Sequence, residues 1–208
     1  MENIYPSYLD KIKRNNSWVL DNAEHFAQQL DNEYLKARRS KAKGLSRVDK
    51  LPVRIYGSGD YIKEHYGFLS KVNFKFYVIS KSLTLPEFSE ELDKVRQLPN
   101  CTRIVLSFDN ENIGNYDSVK HLYRSDGIQF AFTGEVMDWT IQNEILGREF
   151  GIFFNIDKKK KDIEASRKIK QTCPALSGKI PHADACSICN RCWRSSKTKQ
   201  VDWNSVTF

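Results

Sequence analysis

Residues 103–110 read RIVLSFDN, a short β-rich run that ends in polar residues, and four further runs of this kind flank it. The five runs are VRIY at 53–56, FKFYVI at 74–79, RIVLSF at 103–108, IQFAF at 128–132 and FGIFFNI at 150–156. Their starts are 21, 29, 25 and 22 residues apart. A strand, a helix and another strand at that interval indicate parallel βαβ units with right-handed crossovers.

The segments between the runs have helical spacing of their apolar residues, which predicts helices at 61–72, 86–98, 116–124 and 136–146. A further amphipathic pattern predicts a helix from Ser17 to about Lys41. We therefore predict an α/β fold with about five parallel strands, as an open sheet or an incomplete barrel. The predicted organisation is an N-terminal helical segment (1–50) packing on the core, an α/β domain (51–170) and a cysteine-rich tail (171–208).

The composition is that of a globular protein, because 40% of the 208 residues are hydrophobic and 28% are charged. A largely disordered chain is thereby excluded. No apolar run approaches the roughly 18 residues that cross a bilayer, and the N-terminus does not resemble a signal peptide. We expect no membrane association and a soluble protein that stays in the cytoplasm of the cell that makes it.

Polar residues follow the predicted strands, and parallel strands bring their carboxyl ends to one edge of the sheet. Three carboxylates and a lysine there are candidate catalytic residues, with the carboxylates binding a divalent ion and the lysine stabilising developing charge. The alternative is that the acidic residues only cap the helices that follow. The four candidates are Asp60, Lys81, Asp109 and Glu135.

The net charge of +7 is unevenly distributed. Residues 36–50 hold seven Lys/Arg and one acid, residues 158–170 seven and two, and residues 191–199 four and none. Such basic segments are expected of a protein that binds nucleic acid or an acidic protein, although solvated helix faces give the same pattern. The candidate nucleic-acid-binding residues are Arg38, Arg39, Lys41, Lys43, Lys158, Lys159, Lys160, Lys161, Arg194 and Lys197.

Four of the five cysteines lie within the last 36 residues, at Cys173, Cys186, Cys189 and Cys192. In a reducing cytoplasm this spacing predicts a metal centre rather than disulfides. The CxxCxxC step with a remote Cys-Pro is the pattern that holds a [4Fe–4S] cluster. Zinc is the alternative, since four-thiolate zinc sites are common, but they usually come as two separated CxxC knuckles.

Three stretches resemble a family of bacteriophage proteins called gene-product-eighty-eight-like: residues 53–82, residues 98–109 and residues 173–193. The shared motifs are an arginine strand that ends in Ser-Gly-Asp, a second strand that ends in Ser-Lys-Ser, a third that ends near an aspartate, and the CxxCxxCW tail. The resemblance implies a phage origin and an α/β fold. The family also distantly resembles the half-barrel of radical S-adenosylmethionine enzymes, but this sequence lacks their CxxxCxxC motif in its N-terminal half.

These observations leave three functions open. The first is a metal- or iron–sulfur-containing protein that binds nucleic acid or an acidic host protein through its basic segments. The second is a metal-dependent enzyme of phosphodiester chemistry at the strand ends. The third is a structural or host-takeover protein in which a zinc site merely fixes the tail.

Overall fold

A computed structural model describes residues 17–39, 52–56, 60–123, 125–145, 150–174, 176 and 192. The described residues fall into two compact units. Residues 62–74 and the N-terminal helix belong to the first unit, and residues 52–56, 60, 61 and those from 75 onward belong to the second.

The first unit is built on helix α1 (Ala23–Arg39), a 3-10 turn (Lys63–His65) and the short helix α2 (Tyr66–Leu69). Edge-to-face packing joins α1 to α2, with the rings of Phe26 and Phe68 centred 5.1 Å apart. The carboxylate of Asp31 accepts hydrogen bonds from the backbone and the side-chain amide of Asn73, at 2.8 and 2.6 Å. The predicted N-terminal helix is therefore present, with Ala27 buried and Phe26, Leu30 and Tyr34 half-buried on its apolar face.

The second unit is a five-stranded sheet in which every neighbouring pair is parallel and the strands follow chain order. The sheet curls into a half-barrel. Of the two predicted forms, an open sheet and an incomplete barrel, the second is therefore the one observed. The strands are β1 (Val53–Ile55), β2 (Phe76–Ser80), β3 (Cys101–Phe108), β4 (Ile128–Gly134) and β5 (Ile152–Asn155). The helices of this unit are α3 (Ser89–Arg96), α4 (Tyr116–Val119), α5 (Val136–Ile145) and α6 (Lys160–Lys168).

The predicted α/β class and the five parallel strands are confirmed, while several boundaries differ. β2 and β5 each begin two residues later than predicted, and β3 begins two residues earlier, at Cys101. Phe74 and Phe150 precede the observed strands but are buried in the core. Buried apolar residues next to a strand have the same composition as the strand itself, so the sequence pattern included them in the predicted runs. The helical connections are shorter than predicted because single 3-10 turns replace part of them, as at Lys63–His65 and Pro86–Phe88.

The two faces of the sheet carry different residues, because side chains alternate along a strand. On the helix-covered face, Phe132 packs on Phe150 with ring centroids 5.6 Å apart, and Trp139 of α5 stacks on Phe153 at 4.9 Å. The opposite face, called the inner face below, holds a smaller apolar cluster. Its members are Tyr77, Ile79, Val105, Ala131 and Ile152.

Candidate functional site

The carboxylate of Asp60 anchors the turn that follows the neighbouring strand β2. Its Oδ1 accepts hydrogen bonds from the backbone of Tyr61 at 2.7 Å and from the hydroxyl of Ser80 at 2.5 Å. Its Oδ2 accepts the backbone N–H groups of Lys81 and Ser82, both at 3.0 Å. Two carboxylate oxygens that accept four protein hydrogen bonds have little capacity left for a metal ion. This is the bonding of a residue that fixes local structure.

Lys81 and Asp109 form an ion pair at the same edge, between the ends of β2 and β3. Asp109 also accepts the backbone N–H groups of Glu111 and Asn112 at 3.0 and 3.1 Å. Burial alone would raise the pKa of Asp109, but the Lys81 ammonium and these N–H donors together hold it below its usual value. The pair is half open to solvent, since the Lys81 side chain is 47% exposed.

Glu135, the fourth candidate, lies just after β4 with an exposed side chain. Its backbone N–H donates to Asp138 at 3.3 Å. The helix α5 that begins beside it is capped from the segment after β5, because Asp157 accepts the N–H of Val136 at 2.9 Å. Among the residues that the structure describes, Asp60, Lys81 and Asp109 are linked by hydrogen bonds, and Glu135 is not linked to them.

Four consecutive lysines, called the lysine run below, follow β5 and lead into the first turn of α6, and all four are exposed: Lys158, Lys159, Lys160 and Lys161. Strand β5 ends at Asn155, so the run lies at the carboxyl ends of the strands. Within the described part of the chain, no carboxylate lies within ion-pair distance of any of the four.

The other predicted nucleic-acid-binding residues are located only in part. Arg38 and Arg39 form the end of α1 in the first unit. Lys41, Lys43, Arg194 and Lys197 lie outside the described residues. Whether the basic segments converge on one side stays a prediction.

Two of the four predicted metal ligands can be placed, and Cys186 and Cys189 lie outside the described residues. The backbone of Cys173 donates to the carbonyl of Phe153 in β5 at 2.7 Å. Cys192 is partly buried and packs against the inner-face cluster. Neither thiol forms a disulfide. Within the described ranges no group of three metal-ligating side chains is present, so the four-cysteine centre stays a prediction.

Arg103 is a residue that the sequence reasoning overlooked. It lies on β3 with its side chain 4% exposed, and its Nη1 donates to Oε1 of Gln129 at 3.4 Å. Burial lowers the pKa of Arg103, while the charges of Asp126 and Cys192 oppose that shift. The sequence did contain a signal. Side chains alternate along a strand, so Arg103 lies on the same face as Val105, and a buried position on that face is costly for a charged residue.

Tyr56 directly follows β1 and adopts a left-handed backbone with φ of 64°. This conformation costs a non-glycine residue about 1 kcal/mol or more. The ring packs edge-on against Tyr61, with centroids 6.2 Å apart, and burial raises the pKa of the Tyr56 hydroxyl. The strain therefore lies at the carboxyl edge, four residues before Asp60.

The fold and these residues define a parallel half-barrel α/β protein with a polar carboxyl edge. A family model described as Gene product 88 matches residues 1–195, and the chain belongs to this phage-associated family. The predicted family is thereby confirmed, and the distant resemblance to radical S-adenosylmethionine enzymes is not shown. No curated protein and no solved structure gives a significant match.

None of the described helices is both long enough and apolar enough to span a membrane.

Proposed function

We propose that the protein binds nucleic acid through the lysine run at the carboxyl edge of its sheet. One observation carries the proposal: four exposed, consecutive lysines stand where they do not stabilise the fold. Lys159 is the N-cap of α6, and Lys160 and Lys161 are its first two residues. Cations at a helix N-terminus oppose the helix dipole and destabilise the helix.

The opposite end of α6 provides the contrast. Arg167 and Lys168 lie in its last turn, where positive charge stabilises a helix. Those two residues need no ligand to account for them. The lysine run does call for a ligand, because its charge opposes the helix dipole and no carboxylate of the described residues lies within ion-pair distance of it. A phosphate backbone would supply the missing negative charge and would also interact with the exposed N–H groups of the helix start.

Lys81, which follows β2 at the same edge of the sheet, does not add to this positive surface. Its ammonium is neutralised by Asp109. The lysine run therefore keeps its positive charge available to a ligand, and Lys81 does not. Contacts of this kind are made to phosphates and carry no sequence information. We expect binding with little sequence preference.

The test measures binding to labelled single-stranded DNA, duplex DNA and RNA by fluorescence anisotropy over a range of salt concentrations. Changing all four lysines of the run to glutamine should weaken binding similarly for different sequences. If all four contact phosphates of duplex DNA, the slope of log K against log salt should become shallower by about 3 to 4. A smaller change in the slope would indicate that fewer than four of these lysines contact phosphates of the DNA backbone.

A matched control removes the same amount of charge elsewhere, with Lys75, Lys94, Lys120 and Lys168 changed to glutamine. Lys94 and Lys120 are already paired with neighbouring acids, and Lys75 precedes β2 at the opposite end of the strands. This variant should retain most of the affinity. Equal losses of affinity in both variants would show that binding depends on the net charge of the protein and not on the position of the lysine run. No retention of wild type on any nucleic acid at about 50 mM salt would contradict the proposal and favour an acidic protein partner.

We propose further that Cys173, Cys186, Cys189 and Cys192 bind a metal centre, either a [4Fe–4S] cluster or zinc. The support is their spacing in the sequence, together with the position of Cys173 beside β5 and of Cys192 against the inner-face cluster. Anaerobically purified protein that is brown, absorbs near about 400 nm and holds roughly four irons per chain would identify the cluster. One zinc per chain in colourless protein would identify the alternative.

A metal-dependent phosphodiester reaction is the second candidate function, and the half-exposed Lys81–Asp109 pair is the observation that favours it. A divalent ion could replace the Lys81 ammonium on Asp109. Nuclease assays with and without magnesium test this, with Asp109→Asn as the inactivating variant. Glu135→Gln is the companion variant, since Glu135 is exposed and not linked to the pair. Absence of any magnesium-dependent cleavage would exclude the reaction.

A further inference from the structure

Three large apolar side chains are exposed at the carboxyl edge of the sheet, and they are called the apolar patch below. Met137 and Ile141 on α5 are 73% and 44% exposed, and Ile156 directly after β5 is 55% exposed. Met137 and Ile141 are four residues apart, so they lie on the same face of the helix. Six large apolar side chains of the described residues are exposed, and half of them belong to this patch.

The apolar patch adjoins the lysine run at the start of α5. Asp157 accepts the N–H of Val136, the first residue of α5, at 2.9 Å. Met137 follows Val136 in the chain, and the lysine run begins directly after Asp157. Helices α5 and α6 also contact each other, and the first turn of α6 carries the end of the run. Apolar and positively charged side chains therefore stand side by side at this edge.

The helix α5 makes its core contacts on another face. Trp139 is buried and stacks on Phe153 of β5. A helix that covers a sheet normally presents polar residues to the solvent on its other side. Met137 and Ile141 lie on that solvent side and add nothing to the core contact. Single exposed apolar residues are ordinary, but a group of them beside a cluster of like charges marks a surface that a partner covers.

The chemistry of the two neighbouring surfaces selects the partner. A wholly apolar partner would leave four lysines without negative charge. Duplex DNA would leave the apolar patch unused, because its bases are paired and stacked. An unpaired strand offers phosphates to the lysines and exposed base faces to the apolar side chains. Charge complementarity and apolar contact together therefore favour a single strand.

We propose that the apolar patch contacts unpaired bases of a single strand whose phosphates the lysine run binds. This inference rests on the nucleic-acid binding proposed above and adds that the strand is unpaired and that its bases are contacted. Contacts between lysines and phosphates do not depend on the bases, whereas contacts to base faces require bases that are free of a partner strand. The protein should therefore bind a single strand more tightly than it binds the same phosphates without bases.

The first measurement compares two single-stranded ligands by fluorescence anisotropy, with wild-type protein of full length. One is a dT strand of about 16 nucleotides, and the other is an abasic strand of the same length, which keeps every phosphate and has no bases. Wild type should bind the dT strand about five- to tenfold more tightly. This excess should persist as the salt concentration rises, because contacts to base faces release no counterions.

The second measurement uses the double variant Met137→Gln with Ile141→Gln, which keeps the charge and places good helix formers at two exposed positions. It should bind the dT strand about five- to tenfold more weakly than wild type, and it should bind the abasic strand and duplex DNA unchanged. Its slope of log K against log salt should equal that of wild type. Met137→Leu with Ile141→Leu keeps the apolar surface and should retain the affinity for the dT strand.

Leu35→Gln with Leu176→Gln is the matched control. Both leucines are exposed to nearly the same extent as Ile141, and neither belongs to the apolar patch. This variant should leave the affinity for the dT strand unchanged. The melting temperature of every variant, measured alongside, shows that the protein is folded.

Each outcome bears on a different part of the argument. Wild type that binds no nucleic acid would overturn the proposed function and this inference together. Wild type that binds the dT and abasic strands equally would overturn this inference, without recourse to any variant, and leave phosphate binding by the lysine run standing. The same conclusion follows if the double glutamine variant binds the dT strand like wild type, or if the leucine control loses as much affinity. Vesicles of anionic lipid that bind wild type but not the double glutamine variant, with no preference for the dT strand, would instead assign this surface to a membrane.

Discussion

The carboxyl edge of the sheet and its inner face are built on the same five strands, yet they satisfy their charged groups differently. At the edge, Asp60 accepts four hydrogen bonds and Asp109 pairs with Lys81. On the inner face, Nη1 of Arg103 donates one long hydrogen bond to Gln129, and its buried Nε has no partner among the described residues. The carboxylate of Asp60, which is fully hydrogen-bonded within the protein, is accounted for as structure. A buried charge that is not satisfied points to something that the sheet itself does not provide.

We expect the largest effect on stability from Asp60→Asn, which changes the fully hydrogen-bonded carboxylate at the carboxyl edge. In either orientation the new amide group places N–H donors against existing donors, either the N–H groups of Lys81 and Ser82 or those of Tyr61 and Ser80. We expect a loss of about 3 kcal/mol in the free energy of unfolding, measured by urea titration. Asp93→Asn, at an exposed position of α3, is the control and should change it by less than about 0.5 kcal/mol. Equal stabilities would mean that these hydrogen bonds contribute nothing net.

A smaller effect should follow from removing the one acceptor of Arg103 indirectly, with Gly151→Ala. A Cβ at Gly151 would lie 1.8 Å from Nε2 of Gln129, so the Gln129 side chain would have to move away. Arg103 would then lose its single described acceptor. We expect a loss of about 1 to 2 kcal/mol in the free energy of unfolding of the metal-free protein.

The matched control is Gly114→Ala, because a Cβ there meets no atom within 4 Å. Its effect should stay within about 0.5 kcal/mol. If Gly151→Ala were as mild as this control, Gln129 would not be what holds the guanidinium.

We expect the smallest effect in the pH dependence of stability that is due to Asp109. Its pKa is held below the ordinary value of 3.8, so the folded state favours the charged form. The stability that this provides is present above pH about 4 and is lost as pH falls through the lower pKa of the folded state. Because the pair is partly exposed, we expect no more than about 0.5 kcal/mol. Wild type and Asp109→Asn should differ at pH 6 and converge toward pH 3 in urea titrations.

Asp117→Asn tests whether any surface ion pair behaves this way. Asp117 pairs with Lys120, but both side chains are largely exposed. This variant should match wild type within error at pH 6. A difference as large as that of Asp109→Asn would show that burial and the N–H donors around Asp109 add nothing.

The fold could be predicted from the sequence because its signal is local. Runs such as RIVLSF at 103–108 are apolar and β-branched, and their spacing of 21 to 29 residues leaves room for one crossover each. The choice between an open sheet and a half-barrel could not be made in this way. Curling depends on how strands twist against each other and on packing between residues far apart in sequence, which no single run encodes.

The candidate site was less predictable because its chemistry depends on cross-strand register. The sequence placed Asp60, Lys81 and Asp109 at one edge, and the structure does link them. It could not reveal that Asp60 follows β1 yet fixes the turn after β2, since that requires the strands to be paired. Arg103 was overlooked for a related reason. A charged residue near the start of a strand is ordinary, and alternation alone does not show that the position of Arg103 is buried.

The strand order of the sheet has a consequence for how the chain folds. Each strand pairs with the strand that precedes it in sequence, from β1 to β5. The growing edge is therefore always the strand synthesised last, and no strand must wait for a distant partner or be inserted between two others. Such a sheet has short loops to close and can form progressively from its N-terminal side as the polypeptide leaves the ribosome. Cys173, whose backbone is hydrogen-bonded to β5, then joins a sheet that is already assembled.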